Sequence, residues 1–420
     1  MKLPAPPVTS RSFRSPIRGP WLTSVLGSVL LVGIPLEFVT GLVSYAAYNP
    51  RLPHNDPTPA HGALNFYLFD WTSAPSWLFQ LNEGVHVIGG LALTPVVLAK
   101  LWSVMPKFFE WPPLPSPAKA LERASLALLV GGILLQLGTG ILNIDYFYDW
   151  SFSFYDAHFF GAWLFMAGFV AHVVLKLPVM VRSLRSRRLR DELATPLAET
   201  RPEPPDEHGL VPVDPAEPTV SRRGALALVA ASSAAVVVLT AGESIGGPAR
   251  TVALLAPRGR SYGGGPTDFQ INKPAASAGI DRSKTGAGYR LVVRAADRTR
   301  SLTRSDLLAL PQSTQRLPIA CVEGWATTQT WTGVRLVDLA ALVGGEGHHT
   351  LEVDSLEVHG AYGHTTIDRA EATDPRSLLA LRVNGADLSL DHGYPARLIV
   401  PALPGVHNTK WVSGLTFQVA

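Results

Sequence analysis

The sequence predicts an all-α transmembrane four-helix bundle with a fifth anchor helix, followed by an α+β domain. Three observations carry that expectation. Long apolar runs crowd the first 182 residues, and a Pro-rich charged stretch follows them. Beyond about residue 250, short alternating segments are punctuated by Gly and Pro.

Hydrophobic residues make up 47% of the chain and charged residues 16%, with a positive mean hydropathy. That balance is too apolar for a purely soluble protein and too polar for one wholly within lipid. Trp21–Tyr45, Gly84–Val104, Ala124–Asn143 and His158–Val181 are each long enough, at ~20 residues, to cross a ~30 Å hydrocarbon core as a helix. They define a membrane domain over 21–182, preceded by a cytoplasmic tail of 1–20. Orientation follows from the basic residues. Lys2, Arg11, Arg14 and Arg18 precede the first run, and Arg182, Arg185, Arg187, Arg188 and Arg190 follow the fourth. The connection Ile144–Ala157 instead carries Asp145, Asp149 and Asp156 with no Lys or Arg. The positive-inside bias therefore places both ends of the bundle in the cytoplasm and that loop outside. Trp71, Trp77, Trp150, Tyr146 and Tyr148 suit the outer aromatic belt. The net charge of +3 is spent on topology, and no nucleic-acid partner is expected.

Residues 183–220 are rich in Pro and charge and poor in aromatics, which predicts a disordered cytoplasmic linker. Ser221-Arg222-Arg223 then opens an Ala/Val-rich segment, 221–243, that crosses outward. Two readings compete for it: an ordinary anchor helix, or a twin-arginine export signal retained as an anchor. Either one places residues 250–420 outside the cytoplasmic membrane of a bacterium.

Polar groups inside membrane helices are costly and usually functional. His86 and His158 lie at similar depth near the outer surface, and each is followed three residues on by a glycine, Gly89 and Gly161. A missing side chain beside an imidazole leaves room for a flat porphyrin, and two axial histidines complete a haem iron. Packing through small residues is the competing explanation. His172 falls 14 residues after His158, ~21 Å deeper, as a second haem would require. Its counterpart on the second helix is Lys100, so that site is either lost or unusual. Glu37 and Gln136 suit a quinone or proton path, or plain helix–helix hydrogen bonds. In span count and histidine depth, residues 21–182 resemble the four-helix b-type cytochromes that serve periplasmic oxidoreductases as membrane subunits. The resemblance implies haem b and a quinone or quinol partner.

In the last third, Tyr289–Val293, Thr350–Val353, Arg397–Pro401 and Leu415–Val419 read as strands. Thr303–Leu310, opening on Thr-Arg-Ser-Asp, and Leu336–Leu342 read as helices. The chain's single cysteine, Cys321, excludes disulfide frameworks and Cys-rich zinc sites. A buried apolar cysteine, a nucleophile and a lone thiolate ligand all remain. Its surroundings, Cys321-Val-Glu-Gly-Trp325 and Trp331-Thr-Gly-Val-Arg-Leu336, resemble the molybdopterin-binding domain of the sulfite oxidase superfamily. The branch that includes the periplasmic protein-methionine-sulfoxide reductase is the nearest. Downstream, Asp391-His392-Gly-Tyr-Pro-Ala-Arg397, Gly405 and Lys410-Trp411-Val412 agree with it.

The resemblance implies that Cys321 binds molybdenum and that His392, Arg397 and Lys410 hold the pterin and its phosphate. Asn272 occupies the place of an early pterin contact. Tyr362 either lines a substrate funnel or is an inconsequential loop aromatic. The chemistry agrees: a dithiolene-bound metal suits one more soft anionic ligand, and a phosphate suits Arg and Lys donors. The chain ends ten residues after Lys410, so the C-terminal dimerisation domain of the sulfite-oxidising members is not expected. The function implied is a membrane-bound molybdopterin oxidoreductase. It would pass electrons between quinone, a b haem and a molybdenum centre that reduces a small or protein-bound S- or N-oxide. Oxidation of a sulfite-like substrate, or a non-catalytic sensory module on an electron-transfer cytochrome, are the alternatives. Nothing in the sequence sets an oligomeric state.

Overall fold

A computed structural model describes residues 8–56, 68–111, 116–144, 153–206, 209–358 and 363–419. Among them, five helices are long and apolar enough to cross a membrane. These are α1 (Pro20–Ala47), α2 (Leu78–Val104), α3 (Pro117–Ile144), α4 (Phe154–Ser186) and α5 (Arg222–Thr240). The chain divides into two compact units: Met1–Phe38 with Ile88–Val237, and Val39–Val87 with Val238–Ala420. The C-terminal end of α1 and the N-terminal end of α2 thus belong with the C-terminal residues.

In the first unit one apolar cluster draws on all five helices. Trp21, Leu26 and Ile34 of α1 meet Val96 and Val97 of α2, Ile133 of α3, Phe165 and Phe169 of α4, and Leu226 of α5. The stretch expected to be a disordered linker is instead packed, in its described part, against this unit. The Glu203 carboxylate accepts the backbone N–H of Trp21 at 3.0 Å, at the start of α1. A carboxylate there satisfies an orphan donor and opposes the helix dipole. Glu192 pairs with Arg187 and with buried Arg222, and Arg222 also donates to the Arg201 carbonyl. Composition missed this order because a few charged contacts to helix ends, rather than an apolar core, supply it. Arg222 of the Ser-Arg-Arg start is therefore a packing residue of this unit.

The second unit holds two five-stranded sheets. One runs β2 (Arg298–Leu302), β1 (Leu291–Ala295), β10 (Val412–Gln418), β5 (Thr350–Ser355), β6 (His364–Asp368). The other runs β3 (Ser313–Ala320), β4 (Ala326–Arg335), β7 (Leu378–Val383), β8 (Ala386–Asp387), with β9 (Arg397–Ile399) also on β7. Among the strands of the described residues, β1 and β10 pair in parallel and the other strand pairs are antiparallel. Along β7 the period of two is explicit: Leu379 and Leu381 enter the main core with β1, β5 and β10 residues. Leu378 and Ala380 face a second cluster with Phe269 and Trp331, and Val383 joins it beyond a register shift in the β4/β7 pairing. The β3/β4/β7 sheet is covered on both faces, which places its strand ends, Cys321 and Arg397 among them, in a dry setting. The expected helix after Thr303 forms over Arg304–Ala309, with the capping box its sequence suggests.

The connection after α1 is also part of this unit. Asn55 exchanges hydrogen bonds with the Thr366 backbone at 2.7 and 2.9 Å. Ser73 bonds Asp374 at 2.7 Å. Trp71, expected in an interfacial belt, is instead buried and donates its indole N–H to the Ala402 carbonyl at 2.8 Å. A large aromatic with one polar tip satisfies a core as well as an interface. Trp77 is half exposed, whereas Tyr146, Tyr148 and Trp150 lie outside the described residues.

Candidate functional site

The β3–β4 register ends at Ala320 opposite Ala326, leaving Cys321–Trp325 as the connecting turn. Cys321 N–H donates to the Trp325 carbonyl and Gly324 N–H to the Cys321 carbonyl, both at 3.0 Å. Gly324 adopts φ +85°, which only glycine takes without strain. Glu323, within the turn, accepts two bonds from Arg258 at 2.7 and 2.9 Å. The Trp325 indole adds a third at 2.8 Å. The turn is thus held by a bidentate ion pair that aims Cys321 inward. Cys321 is 3% exposed. Burial, and then the Glu323 charge, push its thiol well above the ordinary range.

Arg397, on β9, and Lys410, two residues before β10, approach this sulfur closely enough that its charge enters the electrostatics of both. Arg397 is 5% exposed and donates to the backbone carbonyls of Asn408 at 3.1 Å and His392 at 3.4 Å. Its guanidinium also lies 5.7 Å from the Trp331 ring. Lys410 donates to the carbonyls of Lys273 at 2.5 Å and Asp391 at 3.1 Å. The first contact brings the Asn272–Lys273 stretch beside it. His392 stacks on Phe269 with centroids 3.7 Å apart and meets the Thr267 carbonyl at 2.9 Å. Burial, and then Arg397, hold its imidazole down to about 3, so it is neutral. Gly393 keeps the group close, since a Cβ there would sit 3.1 Å from Lys410 and 3.2 Å from Arg397.

These donors are short of an anion. Among the described residues neither Arg397 nor Lys410 has a carboxylate within ion-pair distance, although the Asp391 and Glu357 charges reach Lys410, and burial lowers the two to about 9 and about 7. Buried cations are normally paired. Thr409, between them in the chain, buries a hydroxyl that has no hydrogen-bond partner. A thiol, two buried basic groups without an ion-pair partner and an orphan hydroxyl suit an anionic, metal-bearing group. Among the described residues, no cluster of three His, Cys, Asp or Glu could hold a metal, so a metal at Cys321 needs ligands from a cofactor. Cys321, His392, Arg397 and Lys410 are brought together, with Asn272 at the edge. Tyr362 lies outside the described residues. Sequence reasoning assigned no role to Arg258 and none to Glu323, although Glu323 sits inside the quoted motif.

The bundle histidines form a separate set. His86 Nδ1 meets the Thr40 hydroxyl at 3.1 Å, and His158 Nδ1 meets that of Thr139 at 2.9 Å. The space over Gly89 is taken by the Glu37 carboxyl, and that over Gly161 by the Gln136 amide. Those two glycines therefore accommodate helix neighbours rather than leaving the expected gaps. Lys100 donates to the Thr23 carbonyl of α1 at 2.6 Å. His172, half-buried on α4, lies about four helical turns beyond His158.

Residues 279–420 match the family model described as the oxidoreductase molybdopterin binding domain. The C-terminal sheet domain is thus similar to that domain over this stretch. Human mitochondrial sulfite oxidase is 38% identical to the chain over 103 residues, 23% of this chain and 19% of that protein. The "Putative protein-methionine-sulfoxide reductase subunit YedZ1" of Azospira oryzae is 33% identical over 27% of this chain and 42% of its own length. The "Uncharacterized oxidoreductase YuiH" of Bacillus subtilis is 32% identical over 28% and 58%. The chain spans less than two thirds of each of these relatives. Cys321, His392, Arg397 and Lys410 lie within the matched stretch, with Asn272 just before it.

Proposed function

We propose that this chain is a membrane-bound oxidoreductase. In this reading molybdopterin sits at Cys321, a b haem is held by His86 and His158, and the quinone pool is the electron partner. The C-terminal domain faces outward from a bacterial cytoplasmic membrane. The observation that carries the reading is the buried Cys321 thiol beside two buried basic side chains, Arg397 and Lys410, neither of which is ion-paired to a carboxylate among the described residues. When bound, the molybdenum centre supplies two-electron oxygen-atom transfer and the haem a one-electron relay. Cys321 supplies the protein thiolate, losing its proton on metal binding as coordinated thiols do. Arg397, Lys410 and the Thr409 hydroxyl bind the phosphate and pterin oxygens, and neutral His392 offers a ring nitrogen without adding charge. Arg258 and Glu323 hold the turn that carries the sulfur.

Reduction of an S- or N-oxide is favoured by the Cys-Val-Glu-Gly-Trp context and by the similarity to the Azospira oryzae protein. The similarity to sulfite oxidase supports the oxidative direction as a second reading. A panel of oxides added to the dithionite-reduced protein decides between them: reoxidation of the haem band by an S- or N-oxide, abolished in Cys321→Ser, is the expected result. Haem reduction by sulfite with no response to any oxide would establish the oxidative direction. Purified protein with normal haem and no molybdenum would defeat both.

A further inference from the structure

Two helix pairs in this chain repeat one set of contacts. On α1, Gly33, Glu37, Thr40 and Gly41 are followed 99 residues later on α3 by Gly132, Gln136, Thr139 and Gly140. On α2, His86, Gly89 and Leu93 are followed 72 residues later on α4 by His158, Gly161 and Phe165. The contacts are preserved pair by pair. Thr40 meets His86 as Thr139 meets His158, through the hydroxyl and Nδ1. Glu37 covers Gly89 as Gln136 covers Gly161. A Cβ on Gly41 would sit 3.1 Å from the His86 ring, and one on Gly140 3.5 Å from the His158 ring. A Cβ on Gly33 would meet Leu93 at 2.7 Å, and one on Gly132 would meet Phe165 at 3.0 Å. Four coincidences at constant offsets mark one helical hairpin used twice, although little identity survives between the copies.

The hydroxyl directions add chemistry. Thr139 already donates its O–H to the Leu135 carbonyl at 2.7 Å. Its oxygen is then left to accept, so the partner at 2.9 Å must be a protonated Nδ1 of His158. That tautomer leaves Nε2 with a bare lone pair, the state an axial ligand requires. Glycine opposite each ring, Gly41 or Gly140, lets the helix backbone come close enough for the threonine to reach.

We infer that Thr40 and Thr139 are equivalent positioning residues that set the tautomer and orientation of His86 and His158 in the two copies of the hairpin. This deepens the haem reading and rests on it. An Nδ1–H bonded to oxygen makes the imidazole a stronger donor and favours ferric iron, so losing the bond raises the midpoint potential. His172 has Lys100 at its equivalent position, so the repeat identifies the histidine pair independently of depth.

The test uses full-length protein in detergent. Thr40→Val and Thr139→Val should each raise the haem midpoint potential and lower haem retention by roughly 10–100-fold in affinity, while Thr→Ser at either position restores both. A shift from one threonine only, or serine behaving like valine, would overturn the equivalence. The haem reading is tested separately by the haem content of the wild type. Nitrogen-15 solid-state NMR of labelled histidines tests the threonines whether or not haem is held. It should show Nδ1 protonated at both His86 and His158, and an Nε2–H tautomer at either would refute the inference.

Discussion

Val87, the residue after His86 on α2, closes on Gly324 so tightly that a Cβ there would sit 2.7 Å from its Cγ1. The helix that carries one proposed haem ligand thus abuts the turn that carries the proposed molybdenum ligand. With Gly324 at φ +85°, a side chain meets two separate penalties: about 1–2 kcal/mol for the backbone and about 1–3 kcal/mol for overpacking. Gly324→Ala should therefore lower the molybdenum content of purified protein. Val87→Ala in the same chain should recover part of the packing cost only, because the Cβ of residue 87 would still lie 2.9 Å away. Full recovery would mean that the backbone conformation costs nothing, and no recovery would mean that the contact is irrelevant. Metal analysis against haem absorbance reads the result.

Arg397 is buried with a positive charge that no carboxylate offsets. Arg397→Met removes a desolvated charge and keeps much of the volume. The cofactor-free protein should be as stable as wild type or more so, by up to about 2 kcal/mol. Molybdenum retention should fall at the same time. Loss of stability together with loss of metal would point to a structural cation instead. Melting curves of wild type and Arg397→Met produced in cells unable to make the pterin, beside metal content from cells that make it, separate the two.

Glu323 joins Arg258 and Trp325 at the turn. Glu323→Gln removes one partner of a largely buried pair, with an expected loss on the order of 1–3 kcal/mol. It also removes the negative charge nearest the thiol, so the Cys321 pKa should drop. Alkylation of metal-free protein should then become faster at mildly alkaline pH. An unchanged rate at every pH would show that burial alone controls the thiol.

Burial pushes the Glu371 carboxyl from its ordinary value near 4.5 up to about 8. The folded chain keeps a proton that the unfolded chain gives up, so stability is full below about pH 4.5 and declines as pH rises through about 8. Glu371→Gln should match wild type near pH 5 and melt higher near pH 8.5. A domain of this size gains about 2–4 °C per kcal/mol. Parallel pH profiles for the two proteins would refute the assignment.

The sequence made the long helices and the strands at Leu291, Thr350, Arg397 and Val412 legible, because apolar period and β-branched residues decide them locally. It did not reveal β3 and β4, where Thr, Gln and Pro dominate and cross-strand pairing does the work. The cofactor residues could be named because Cys321, His392, Arg397 and Lys410 sit in compact motifs. Arg258 stayed hidden because its partner Glu323 is 65 positions away in the chain. Trp71 was misplaced for a similar reason: only tertiary contact distinguishes a core indole from one at a lipid boundary.

Asn55, Trp71 and Ser73 stitch the segment between the first two helices to strands made some 300 residues later. If the helices cross the membrane as proposed, four passes separate these partners, and an even number returns the polypeptide to the side it left. The early strap must be waiting there when the late strands arrive. A C-terminal fragment excised at residue 238 would lack it, exposing the apolar floor under Ala402. The β domain is therefore completed by both parts of the chain, and these hydrogen bonds cannot close until residues 366–402 have been made.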